Sequence, residues 1–217
     1  MKNSSIKNEK VKIFIEYVRS ELKKIKGKLV LSINAFPKSK KTDGEFCETT
    51  MTIKCAVNHG SFYWVGVLAH EFGHFLQAKN KQKMWLNFQK TASRIDNIEE
   101  IFIKNSKIKK SLRKKLARCI IPMELDADKK ALRFIKKFNL PVNKTEYSST
   151  SNLVLYKYCF WAETGHWPNF IDKSKGINLK PLEFKISKLK NSRHYFDISN
   201  IPRKIFYIFE NSRETST

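Results

Sequence analysis

From Phe62 to Lys79 the chain is apolar at nearly every position, yet it carries two histidines, His70 and His74. Val65, Leu68, Ala69, Phe72 and Leu76 recur at helical spacing, with both imidazoles beside that stripe. A helix this apolar lies deep in a fold. Whatever buries it must also give two imidazoles something to bind, and that requirement narrows the possible structures more than any other feature. The turn-like Asn58-His59-Gly60-Ser61 precedes the helix, with Ser61 as the expected N-cap.

His70-Glu71-Phe72-Gly73-His74 puts the imidazoles one turn apart on one face, where two nitrogens can meet a single zinc ion at about 2.0 to 2.1 Å each. Glu71 then lies beside the metal, placed to take a proton from a water and pass it to a leaving amine. The bland alternative is a pair of core histidines satisfied by their neighbours.

A catalytic zinc needs a third protein ligand and one open position. In Met123-Glu124-Leu125-Asp126-Ala127-Asp128, Glu124 and Asp128 share a helix face with Ala131 and Ile135. Buried carboxylates need partners, and a metal for Glu124 with an imidazole N–H for Asp128 would supply them. The alternative is helix capping on a solvated face, since Pro122 reads as the start of a helix whose first turns hold Glu124, Asp126 and Asp128. His166, in Thr164-Gly165-His166-Trp167, is the rival third ligand. A histidine at the extended spacing after His74 is missing, because Gln77 to Gln82 contains none.

The remaining pattern predicts an opening helix through Val11, Phe14, Ile15, Val18, Leu22 and Ile25, and strands over 29–36 and 46–57. Helical spacing is weak from Trp85 to Ile103 and strong from Ile108 to Phe138. A helix is expected over Ser151 to Glu163, a short strand or loop over Leu179 to Ile186, and a last helix near Pro202 to Glu210. The whole reads as one mainly helical α+β domain over 1–217, its core at about 28–138, with a small sheet against the motif helix.

Charge is the other unusual property: 43 Lys plus Arg against 20 Asp plus Glu give +23. Runs such as Lys107 to Lys115 and Lys185 to Lys190 could follow a phosphate backbone, or simply be solvated helix faces. No stretch approaches the roughly 20 apolar residues of a membrane span, and Met1 to Lys10 lacks a secretory signal's apolar run, so a cytoplasmic protein is expected. Cysteines at 47, 55, 119 and 159 show no metal or disulfide spacing and read as reduced thiols.

Taken together, His70, Glu71 and His74 on one helix and Glu-x-x-x-Asp at Glu124 and Asp128 on another resemble the gluzincin clan of zinc peptidases, over about residues 46–138. The resemblance implies a zincin-like fold holding one catalytic Zn²⁺, with Glu124 as third ligand and Asp128 supporting His70. Small size is most similar to bacterial and phage peptidases of the ImmA/IrrE type. The segment Glu124 to Leu132 also looks like a helix of membrane zinc peptidases related to the CAAX protease, which the lack of membrane spans opposes. The clan further implies that the strand before the motif helix, Thr49 to Ala56, pairs with an extended substrate. His166, His194, Tyr195 and Tyr147 are available as oxyanion donors, and His59 as a substrate contact.

The expected activity is therefore hydrolysis of peptide bonds in an intracellular protein, with the variant that the substrate is bound to nucleic acid. The contrasting expectation is a basic nucleic-acid-binding protein whose zinc is structural or vestigial, although no helix-turn-helix, zinc-finger or RNA-recognition signature is present.

Overall fold

The structure of the chain, a computed structural model, describes residues 8–33, 43–57, 62–93, 108–168, 201 and 203–211. It is mainly helical with one small mixed sheet, an α+β arrangement in agreement with the residue pattern. Contacts gather it into two compact units, Met1–Gln82 with Asp126–Tyr147, and Lys83–Leu125 with Ser148–Thr217.

In the first unit, helix α1 (Glu9–Lys23) begins where the Asn8 side chain accepts the N–H groups of Lys10 and Val11. Such a cap stabilises a helix by about 1 kcal/mol. Val11, Phe14, Ile15, Val18 and Leu22 form its buried face. After α1 the chain turns at Lys26, whose φ is 60°, into Gly27, where a Cβ would stand 2.6 Å from the Met51 carbonyl.

Strands β1 (Lys28–Ser32), β2 (Gly44–Cys47) and β3 (Thr52–Ala56) form a sheet in the order β1-β3-β2. β1 runs parallel to β3, with Lys28 opposite Thr52, and β2 runs antiparallel to it, with Phe46 opposite Ile53. The single strand expected over 46–57 is thus two strands and a turn. Met51 N–H bonds the Glu48 carbonyl at 3.1 Å, Met51 takes φ 48°, and its carbonyl accepts from Lys28 N–H at 3.1 Å. Met51 alternates with Ile53, Cys55 and Val57 in sequence, so the period of two concealed the turn. This corrects the substrate-pairing assignment. Most of the segment 49–56 is the central strand β3, hydrogen-bonded on both sides, whereas β2 is an outer strand.

Helix α2 (Tyr63–Lys79) packs across this sheet, and Trp64, Val65, Leu68, Ala69, Phe72 and Phe75 are buried. Its N-cap residue is Phe62, which makes no side-chain cap bond; the expected cap, Ser61, lies outside the described residues. Phe72 meets Phe14 edge-on at 6.4 Å and Phe134 at 5.0 Å, while Tyr17 closes the cluster on Phe72 at 5.8 Å. Phe14 and Phe72, both fully buried, contribute roughly 1.5 to 3 kcal/mol each.

Helix α3 (Lys83–Ala92) follows, and then α4 (Lys110–Lys137), which is continuous through Pro122. Pro122 therefore does not start a helix, contrary to the expectation above. A proline leaves the carbonyl four residues earlier without its helical donor. That carbonyl belongs to Arg118, an exposed residue, so water can satisfy it, while Ile120, Ile121, Met123 and Leu125 around the proline are buried and favour continuation. Glu124, Asp126 and Asp128 accordingly sit in mid-helix, beyond the help of the helix dipole, and Asp128 is buried at 4% exposure. Capping on a solvated face does not describe Asp128.

At the end of α4, Asn139 adopts φ 47° and Leu140 N–H reaches back to the Ile135 carbonyl. Asn143 then caps helix α5 (Lys144–Thr164) by accepting from Thr145 and Glu146 N–H. This cap starts α5 earlier than the expected Ser151, because residues 144–149 are too polar to show an apolar period.

In the second unit, α5 is largely buried from Ser151 onward, and helix α6 (Arg203–Asn211) lays Phe206 and Phe209 against Phe160 at 5.1 and 5.4 Å. The expected strand or loop at 179–186, the weak helical pattern beyond Ser93, and residues His59, His194 and Tyr195 lie outside the described residues. No helix among the described residues is long and apolar enough to cross a membrane.

Candidate metal centre

His70 and His74 project from the same face of α2, their rings nearly perpendicular at 87° and their Nε2 atoms 3.0 Å apart. What backs each ring decides which nitrogen carries the proton. His70 Nδ1 lies 2.8 Å from Asp128 Oδ1, and a carboxylate only accepts, so Nδ1–H is the donor. His74 Nδ1 lies 2.9 Å from Gln77 Oε1. Both Nε2 lone pairs then aim at one point. Two ligand nitrogens at zinc distance in a tetrahedral array stand roughly 3.3 Å apart, so a zinc ion fits the observed pair.

Asp128 receives a second donor at the same oxygen, the Tyr147 hydroxyl at 2.8 Å. Gly66 makes room for that tyrosine, because a Cβ there would stand 2.9 Å from the ring carbon Cδ2. Gly73, inside the motif, makes a second close approach, since its Cβ would lie 2.9 Å from the Ala127 carbonyl. The absence of a side chain at Gly73 is what lets α4 come near enough for Asp128 to reach His70.

Glu124 stands one turn before Asp128 on the unbroken α4, so its place beside Asp128 follows from the helix itself. Ligand atoms of His70, His74 and Glu124 lie within 4.8 Å of one another. Among the described residues this is the group of metal-type side chains that comes together, and His166, exposed after the end of α5, is not part of it.

Glu71 points beneath β2: a Cβ on Gly44 would be 3.0 Å from Glu71 Cγ and 3.3 Å from Oε1. The thiol of Cys55, on β3, donates to the Trp64 carbonyl at 3.4 Å, and burial, reinforced by the charges of Glu71 and Asp43, pushes its pKa up. A thiol held protonated in this way is not a zinc ligand. All four cysteines are free. Tyr63, two turns before His70 on the same face, keeps 46% of its surface exposed, while burial around its hydroxyl and, second, the charge of Asp43 raise its pKa.

Sequence reasoning assembled His70, Glu71, His74, Glu124 and Asp128 but missed Gln77, Asp126 as its partner, and the glycines at 44, 66 and 73. The available signal for Gln77 was an uncharged polar residue one turn after His74 on an otherwise apolar face. Tyr147, one of four residues available as an oxyanion donor, places its hydroxyl on Asp128 in this structure. No family model, curated protein or solved structure matches the chain.

Proposed function

We propose that the protein is a zinc metallopeptidase, its ion held by His70, His74 and Glu124, hydrolysing peptide bonds of a protein substrate. The observation that carries this reading is the convergence of two Nε2 lone pairs 3.0 Å apart, each turned inward by a bond at its own Nδ1. The Glu124 carboxylate completes a His, His, Glu set that leaves a fourth position for water.

Bound zinc would supply Lewis acidity, lowering the pKa of a water and polarising the scissile carbonyl. Glu71 accepts the proton of the attacking water and delivers it to the departing amine nitrogen. Asp128 keeps the proton of His70 on Nδ1 and, by its charge, makes Nε2 a better donor. β2, the outer strand next to Glu71, is the element along which an extended peptide would lie.

Metal analysis by mass spectrometry on wild type, Glu124→Ala and Glu71→Gln, paired with digestion of a denatured protein pool, tests the reading. One zinc per chain is expected in wild type, sharply reduced in Glu124→Ala, and retained without cleavage in Glu71→Gln. Zinc absent from every preparation would overturn it.

A further inference from the structure

We infer that Gln77 is a positioning residue that fixes the tautomer of His74, and that Asp126 sets the direction in which Gln77 acts. This rests on the metal reading above only for its consequence, not for its geometry.

Asp126 fixes the orientation of the Gln77 amide. Its carboxylate can only accept, and its Oδ2 lies 2.8 Å from Gln77 Nε2, so the amide nitrogen of Gln77 must face Asp126. The amide oxygen is thereby turned the other way, toward His74 Nδ1 at 2.9 Å. An oxygen accepts, so His74 Nδ1 carries the hydrogen and Nε2 presents its lone pair toward His70. A flipped amide would put N–H₂ against Nδ1, stabilise the opposite tautomer, and point an N–H at the position the ion needs.

Two further facts give the chain of bonds its stiffness. Gln77 is completely buried, so water does not compete for either end of its amide. Asp126 is itself held by Lys130, whose ammonium also reaches Gln82 Oε1 at 3.1 Å. The order His74, Gln77, Asp126, Lys130, Gln82 thus runs from a buried ring through a largely buried ion pair to a half-buried amide.

The test uses the full-length chain labelled with ¹⁵N. Long-range nitrogen–proton correlation spectra of the metal-free protein at mildly alkaline pH report the tautomer of each neutral histidine, His74 being assigned by its loss in His74→Asn. Zinc affinity is measured separately, by competition with a chromophoric chelator. Wild type should show His74 as the Nδ1–H tautomer alone. Gln77→Leu should lose that exclusivity and weaken zinc about ten- to hundredfold. Asp126→Ala, at a partly exposed position that spares the core, should move both readouts the same way by less. An Nε2–H tautomer in wild type, or unchanged tautomer and affinity in folded Gln77→Leu, would overturn the inference. If Gln77→Leu fails to fold, unchanged readouts in Asp126→Ala overturn it. A wild type that binds no zinc but shows the stated tautomer shifts would remove the metal reading and leave the role of Gln77 standing.

Discussion

Helix α2 and the part of α5 from Ser151 onward are both largely buried, and each helix carries buried polar residues. In α2 those residues converge: His70, His74 and Gln77 share one face and connect to Asp126 and Asp128 on α4. In α5 the buried polar residues are Ser148, Ser151, Asn152 and Lys157, none of which is a metal-type side chain. Lys157 lies over the Trp167 ring at 5.6 Å, and burial lowers its ammonium pKa to about 7. What sets α2 apart is a pair of imidazoles whose Nδ1 atoms are bonded to Asp128 and Gln77, leaving both Nε2 atoms at a shared point.

Substitutions that test this contrast can be ranked by their effect at the metal centre. Asp128→Ala removes the acceptor of both His70 and Tyr147 from a buried position. We expect zinc affinity to fall about tenfold to a hundredfold, and stability by about 1 to 3 kcal/mol, read by chelator competition and denaturant titration. If neither changes, the convergence on α2 is not functional.

Gly73→Ala comes next, because its Cβ would press on the Ala127 backbone and push α4 away. Overpacking of this kind is expected to destabilise by about 1 to 3 kcal/mol, with a parallel loss of zinc affinity. A melt that shifts without any change in zinc binding would show that α4 follows the displacement with its ligands intact.

Tyr147→Phe removes the hydroxyl that donates to Asp128, for about 1 kcal/mol of stability and a few-fold loss of zinc affinity. A complete loss of cleavage with zinc retained would instead return the Tyr147 hydroxyl to the reaction itself.

Lys157→Met should leave zinc binding unchanged. Its signature is in pH: folded Lys157 holds its proton only up to about 7, the unfolded side chain up to its ordinary 10.5. Between those values the unfolded chain binds more protons, so the lysine's destabilising contribution, fully present below about 7, is relieved as pH rises. Unfolding free energies of Lys157→Met and wild type should therefore differ most at and below neutrality and approach one another on the alkaline side.

His70, Glu71 and His74 were legible because a helical period is local: residues four apart on a helix face the same way whatever surrounds them. The same holds for Glu124 and Asp128, and for the apolar faces of α1 and α2. Chain direction at Pro122 and at the Glu48–Met51 turn was not legible, since a proline and an alternating pattern each allow two backbones locally and long-range packing selects between them. For the same reason the order of strands, which makes β2 and not β3 the outer one, came only from pairing between distant segments. Residues alone also determined which atoms could ligate a metal. Which nitrogen of each histidine is turned inward depended on Asp128, Gln77 and Asp126, and on the missing side chain at Gly73, because a hydrogen-bond direction is set by a partner in space and leaves no period in the sequence.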